Sequence, residues 1–381
     1  MNSLEILEQL VAFPSVSRDP NWPLIQYVRD FLAARGIEVK LYPDESGAKA
    51  NLFASLGPAD RPGVLLSGHT DVVPVEGQAW STDPFRLHER SGRLYARGSA
   101  DMKGFIACAL ACLDRAVSRG LTVPLQLALS YDEELGCLGV HSLIKDMASW
   151  TYRPRFCIVG EPTLLRACIG HKGKRSFKAV CHGQAAHSST PARGINAVYM
   201  ACDLVGKLRQ RQEMIAAGGL RDASYEVPYT TLHAGVIHGG TVNNIVPTHC
   251  EVELELRNLP ADDPAAIEKG LREDALAVAN ATVGPAGTGR IDLTLAFEYP
   301  ALDVAPDADV VELAATLTGH RERIKVGFGS EAGLFERDAG VPSVVCGPGS
   351  IDQAHRPDEY IERDQMERCD AMLDALLARL M

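Results

Sequence analysis

Gly63-Val-Leu-Leu-Ser-Gly-His-Thr-Asp71 is a short apolar run that ends on a histidine and an aspartate. Apolar without alternation, the run Gly63 to Ser67 reads as a strand buried on both faces, the kind that occupies parallel sheets. Leu125-Gln-Leu-Ala-Leu-Ser130 has the same character, and Phe156 to Val159 makes a third. A helix expected from about Lys103 to Arg119 lies between the first two runs, so the chain alternates strand and helix as an α/β sheet requires. Each run is followed at its C-terminal end by polar residues, mostly His, Asp and Glu, and that is where open α/β sheets place their ligands.

Working outward, Ser3 is a plausible N-cap for a first helix whose stripe is Leu4, Ile6, Leu7, Leu10 and Val11. A second helix is expected over Leu24 to Arg35, closed by Gly36 in a left-handed conformation, and Ile37 to Tyr42 alternates like a strand. From Lys174 the grammar changes to strand (Ser176 to Cys181), helix (Gly194 to Arg211), two strands (Tyr229 to Ile237, Cys250 to Leu256), helix (Pro264 to Ala279) and strand (Ile291 to Phe297). That β-α-β-β-α-β order is ferredoxin-like. After Pro300 the α/β pattern resumes, with a helix near Ala308 to Thr318, strands at Ile324 to Phe328 and Ser343 to Cys346, and a closing helix. The expected organisation is a discontinuous α/β domain of residues 1–173 and 298–381, interrupted by an α+β domain of residues 174–297.

The bulk numbers set limits. At 381 residues, two domains are expected, and 46% hydrophobic with 23% charged residues is the balance of a globular chain. A formal charge of -11, with no long Lys/Arg cluster, argues against a nucleic-acid partner. No apolar run approaches the ~20 residues that span a bilayer, and no signal peptide is evident, so a cytoplasmic protein is expected. The ten cysteines are scattered among apolar neighbours with no C-x-x-C pair, which reads as buried, reduced thiols.

The chemistry-bearing residues are His69 and Asp71, Asp101 in Ala-Asp-Met-Lys-Gly, Glu133 and Glu134 in Asp-Glu-Glu-Leu-Gly, Glu161 in Gly-Glu-Pro-Thr, and His355 in Ala-His-Arg-Pro-Asp-Glu. Alone, His-x-Asp is a weak signal, a Glu-Glu pair is usually solvated surface, and a single histidine is usually a surface residue. Together, at strand ends and in Gly-rich surroundings, they describe two imidazoles and three carboxylates able to share a pair of divalent ions, zinc or cobalt by donor type. Such a pair activates water and polarises an amide carbonyl, and one further carboxylate must move the proton. Adjacent glutamates on a turn point in different directions, which suits one to the metal and the other to the water. Asp71, two residues past His69, can accept the imidazole's other N–H.

Ser67-Gly-His69-Thr-Asp71-Val-Val-Pro, Gly98-Ser-Ala-Asp101-Met-Lys-Gly104, Ser130-Tyr-Asp-Glu133-Glu134-Leu-Gly136, Gly160-Glu161-Pro-Thr163 and Ala354-His355-Arg-Pro-Asp-Glu359 carry a resemblance over essentially the whole chain. It resembles the co-catalytic zinc family of acetylornithine deacetylases, succinyl-diaminopimelate desuccinylases, aminoacylases and related exopeptidases. The resemblance implies a zinc-exopeptidase-like catalytic domain with an inserted lid and dimerisation domain. It implies that Asp101 bridges two ions, zinc first and cobalt second, that His69 and Glu161 complete one site, and that Glu134 and His355 complete the other. Glu133 becomes the general base, Asp71 the residue that orients His69, and a cis peptide is expected at Asp101-Met102.

In the inserted domain, Ala185-Ala-His187-Ser-Ser is similar to a family segment whose histidine crosses a dimer interface and steadies the tetrahedral oxyanion. Asn243-Asn244-Ile-Val-Pro and Leu256-Arg257 match segments that hold the substrate carboxylate, for which a bidentate guanidinium is apt. Gly327-Phe-Gly329-Ser330-Glu331-Ala332-Gly333 and Gly347 to His355 most resemble the acetylornithine deacetylase branch, with Ser330 where that branch usually has Thr. The expected partners are an N-acyl amino acid, contacted by Asn244, Arg257, Gly329, Ser330 and Glu331, and a second copy of the chain. Alternatives are desuccinylation, broader N-acyl-amino-acid or dipeptide hydrolysis, and a metal-containing binding protein without turnover. Gly327-x-Gly329-x-x-Ala332 also fits a dinucleotide fingerprint, but the surrounding unit is missing.

Overall fold

Four parallel strands, Leu125–Ser130, Val64–His69, Phe156–Pro162 and Ser343–Gly347, lie side by side in the computed structural model, which describes residues 1–285 and 287–381. The first three are the runs read from sequence. Antiparallel strands extend them on both sides into a nine-stranded sheet. Its path by first residue is Glu38, Ala50, Leu125, Val64, Phe156, Ser343, Ala167, Leu302, with Arg323–Val326 pairing beside Ala167–His171. Every residue of Val64–His69 and Leu125–Ser130 is buried, as expected of strands covered on both faces.

Helix Gly104–Ala116 explains part of that cover. Eleven of its thirteen residues are buried, which its composition, Gly-Phe-Ile-Ala-Cys-Ala-Leu-Ala-Cys-Leu-Asp-Arg-Ala, permits on nearly every face. It packs against the helices Ser3–Val11 and Arg363–Leu380. The first of these is capped by Asn2 rather than the expected Ser3. Asn2 accepts the N–H of Glu5 while the Glu5 side chain accepts the N–H of Asn2, a reciprocal capping box that Ser3, already helical, cannot make. The Ser3 hydroxyl instead donates to Asp370.

The chain divides into two compact units. One holds Met1–Gly170, Leu302–Lys325 and Ser330–Met381; the other holds His171–Ala301 and Val326–Gly329. The second unit has strand Gly173–His182, helix Ala197–Gly218, strands Thr231–Gly239 and His249–Asn258, helix Pro264–Ala281 and strand Arg290–Tyr299. Numbering the four strands in chain order, the antiparallel sheet runs 4-1-3-2, the ferredoxin-like arrangement. Its core is the inward face of that sheet, including Phe177, Cys181, Val252 and Leu256, packed with Met200, Leu204 and Leu271 of the two helices.

Among the described residues no helix is long and apolar enough to cross a membrane. All ten cysteines are free, and nine are buried. Gly36 has φ +72°, the left-handed residue expected after the second helix, which spans Trp22–Ala33.

Candidate metal centre

The chain delivers its donors from the C-terminal ends of the parallel strands. His69 is the last residue of Val64–His69, Glu161 lies in Phe156–Pro162, and Glu133 and Glu134 follow Leu125–Ser130. Asp101 sits in the turn Ser99–Lys103 that opens the buried helix, and His355 follows the short turn Ile351–Gln353 beyond the fourth parallel strand. The peptide Asp101-Met102 is cis.

Asp101 is the hinge of the group. Its Oδ1 lies 3.1 Å from His69 Nε2 and its Oδ2 lies 3.2 Å from His355 Nε2. On the first side Glu161 Oε1 is 3.7 Å from His69 Nε2; on the second Glu134 Oε1 is 3.0 Å from His355 Nε2. Two overlapping sets, His69 with Glu133 and Glu161, and His69 with Asp101 and Glu134, each bring their ligand atoms within 4.8 Å of one another. The donor set fits divalent ions: imidazole nitrogens and carboxylate oxygens, converging, with one carboxylate that offers an oxygen to each side.

The electrostatics are those of a site short of positive charge. Burial pushes the Glu133 carboxyl well above its ordinary range, and Glu134 and Glu331 push it further. Glu161 is raised by burial and by Asp101. His355, bonded to Asp101 and Glu134, is pushed up to about 10. His69 is held well above its usual value by Glu161, Asp101 and Asp71, although burial opposes them. A cluster of this kind is balanced by cations, and protons take that place when nothing else does.

Asp71 meets His69 through its main chain as well as its carboxylate. His69 Nδ1 lies 2.9 Å from the backbone carbonyl of Asp71 and 3.5 Å from its carboxylate, so the imidazole's second N–H goes to the main chain. The carboxylate is taken up by the turn opposite: Oδ1 accepts the N–H of Glu133 at 3.1 Å, and Oδ2 accepts the N–H of Glu134 at 3.3 Å and the Ser17 hydroxyl at 2.7 Å. Asp71 thus holds the pair of glutamates in place as well as lying against His69.

Ser330 and Glu331, expected to meet substrate, are each 1% exposed. The Ser330 hydroxyl accepts the N–H of Ala332, and burial holds the Glu331 carboxyl at about 7. Both are interior positions. Gly329 belongs to the second unit, where an added Cβ would come within 2.1 Å of the Tyr299 ring, so that glycine answers to close packing and not to a dinucleotide turn.

Arg257 donates from Nε to Glu255 at 2.8 Å and is partly exposed. Asn244 is exposed, and its carbonyl accepts the N–H of Ser188. His187 is exposed, with Nδ1 2.7 Å from the Ser189 hydroxyl and 3.1 Å from the Ser189 backbone nitrogen.

Residues 65–379 match the sequence profile of Peptidase family M20/M25/M40. The chain belongs to this family. An acetylornithine deacetylase of Shigella sonnei is 36% identical over 367 residues, covering 94% of this chain and 92% of its own. Among solved structures, a dipeptidase of Saccharomyces cerevisiae has a TM-score of 0.80 at 16% identity, covering 98% of this chain and 95% of that one. An M20 family metallo-carboxypeptidase of Sulfolobus solfataricus has a TM-score of 0.79 at 19% identity, covering 99% and 98%. This M20 protein is therefore an amide hydrolase of the α/β type, with residues able to bind metal.

Several further buried groups, not expected from the sequence, carry charge beside these residues. Lys103, fully buried, donates to the carbonyl of Phe13 at 2.8 Å, and burial pulls its amine down to about 7. Lys49 grips Asp132, just before the two glutamates, at 2.5 and 2.7 Å. Arg97 and Glu359 form a fully buried ion pair at 2.7 Å. Lys103, Asp132 and Glu359 stand inside the quoted motifs, which was the available signal; their partners stand outside or far off in sequence.

Proposed function

We propose that this hydrolase removes the acetyl group of N2-acetyl-L-ornithine, giving L-ornithine and acetate, a reaction of arginine biosynthesis. The observation that carries the chemistry is Asp101, one oxygen toward His69 and the other toward His355, with Glu133 converging on the same group beside His69 and Glu161. The substrate rests on the 36% identity to an acetylornithine deacetylase.

In this reading His69, Glu161, Asp101, Glu134 and His355 hold two divalent ions, zinc or cobalt. When bound, these supply the positive charge that polarises the acetyl carbonyl and acidifies a water. Glu133 takes that water's proton as it attacks the carbonyl carbon. The C–N bond then breaks, and Glu133 returns the proton to the departing amine. Asp71, through the N–H groups of Glu133 and Glu134, keeps the base beside the reacting water.

Arg257 and Asn244 are assigned to the substrate carboxylate and His187 to the oxyanion, the last by way of a homodimer formed through the inserted unit. Support for that dimer comes from the strand Thr231–Gly239, an unpaired edge of its sheet, with Val236 and Ile237 40% and 49% exposed. Ten free cysteines accord with a reducing compartment such as the cytoplasm.

Metal-stripped protein, reconstituted with zinc or cobalt, is to be assayed on N-acetyl-L-ornithine, succinyl-diaminopimelate, N-acetylmethionine and a dipeptide. Metal-dependent turnover that is highest on N-acetyl-L-ornithine supports the assignment, whereas a preference for the succinyl compound or the dipeptide overturns the substrate. Mixing inactive His187→Ala and Glu133→Gln proteins tests the shared site, since restored activity requires residues from two subunits.

A further inference from the structure

We infer that Glu359, gripped by Arg97, is a positioning residue that fixes the Asp101 turn and the His355 segment as one piece. Glu359 Oε1 accepts two successive backbone N–H groups, from Ala100 at 3.0 Å and from Asp101 itself at 3.1 Å. Oε2 accepts Arg97 Nη1 at 2.7 Å. Arg97 continues the network to the carbonyl of Arg356, the residue after His355, at 3.3 Å and to Gln78 Oε1 at 2.5 Å. The main chain closes the loop, with the Ala96 N–H donating to the Glu359 carbonyl at 3.1 Å.

Both charged side chains are 1% exposed. A buried ion pair gives little net stability over well-packed apolar groups of the same volume, so stability alone is a poor reason for this one. What it does geometrically is specific. The carboxylate that must offer an oxygen to each of two ions hangs from a backbone whose N–H is held by Glu359. The histidine on the second side sits four residues before Glu359, at φ +60°. A shift of either segment separates Asp101 from His355, and supporting residues of this kind change metal affinity by about 10–100-fold.

The inference rests on the two-ion reading, and the test separates the two. Metal-stripped wild type, E359D and R97Q/E359Q are titrated with cobalt(II), following visible absorption, with thermal melts of each protein before metal is added. E359D keeps the charge and withdraws the acceptor by one methylene; R97Q/E359Q removes both charges and keeps an amide oxygen for the two N–H groups. The expected result is at least ~10-fold weaker binding of the second equivalent of cobalt by E359D, with R97Q/E359Q within ~3-fold of wild type. In the reconstituted enzymes, kcat of E359D falls while KM for N-acetyl-L-ornithine stays within ~3-fold, because no substrate contact has been removed.

Equal losses in both variants, no loss in either, or an E359D protein that does not fold would overturn the inference, since the pair would then serve charge or fold alone. Wild type that fails to take up two ions removes the two-ion reading itself, and the inference with it. That result appears in the wild-type titration, apart from any variant.

Discussion

The metal centre and the outer edge of the same sheet hold carboxylates in opposite ways. At the centre, Glu133, Glu134 and Glu161 are raised by burial and by one another, with Asp101 between two imidazoles. At the edge, beside strand Glu38–Pro43, Asp146 accepts hydrogen bonds from Lys40 at 2.6 Å, Tyr42 at 2.7 Å and Trp150 at 3.0 Å, and is drawn down to about 2. One group of carboxylates is buried and crowded by its own kind; the other is met by three donors and partly solvated. Folding favours the second arrangement, so the first is kept for what it does.

The largest effect that can break this contrast is at Asp101. In Asp101→Ala the oxygens facing His69 and His355 are gone, so metal uptake and activity are expected to be lost together. Metal analysis after dialysis checks this, and a variant still holding two ions would contradict the bridging role. Next comes Glu133→Gln, which keeps shape and removes the proton carrier. Turnover is expected to fall at least ~100-fold with metal content unchanged. Near-normal kcat would take the base away from Glu133.

How much of this contrast is legible in the chain depends on the separation of the partners. His69, Asp101, Glu133, Glu134, Glu161 and His355 stand out because most of them stand at the end of a strand or in a turn, and the sheet brings strand ends together. The buried runs Val64–His69 and Leu125–Ser130 are readable for the same reason: a strand covered on both faces has nowhere to put polar residues. Arg97 and Glu359 are 262 residues apart, and Lys49 and Asp132 are 83 apart, so no spacing rule connects them. Ser330 and Glu331 show the converse case: their motif is visible and its resemblance implies contact with substrate, but their burial is a property of the fold that the motif does not carry. The strand Ala50–Leu56, with small and polar residues among its apolar ones, escaped notice because its neighbours, more than its own pattern, make it a strand.

Glu331 sharpens the comparison through pH. Burial holds its carboxyl at about 7, above an ordinary 4.5, so the folded protein binds this proton more tightly than the unfolded chain does. Stability from that proton is fully present below pH ~4.5 and is lost as pH rises toward 7, on the order of 3 kcal/mol in all. In metal-free protein, Glu331→Gln is expected to remove that share of the pH dependence, so the variant gains on wild type between pH 5 and pH 8 in urea unfolding. A constant difference between the two proteins at both pH values would show that Glu331 does not titrate there.

Asp146 carries the opposite sign and the smallest effect. Hydrogen bonds from Lys40 and Tyr42 lower its carboxyl from an ordinary 3.8 to about 2. The unfolded chain therefore takes up the proton first as pH falls, and the contribution of Asp146 is present above pH ~4 and lost through pH ~2. The side chain is one-third exposed and Lys40 more than half, so solvent screens the pair, and about 1 kcal/mol is the expected cost of Asp146→Asn at pH 7. An amide still accepts one hydrogen bond, which keeps the cost small. Urea unfolding at pH 7 and near pH 2 measures it: the cost should vanish at the lower pH, where wild type is itself protonated. If it persists there, the aspartate serves through shape and not charge. The edge of the sheet would then no longer stand as the satisfied counterpart of the metal centre.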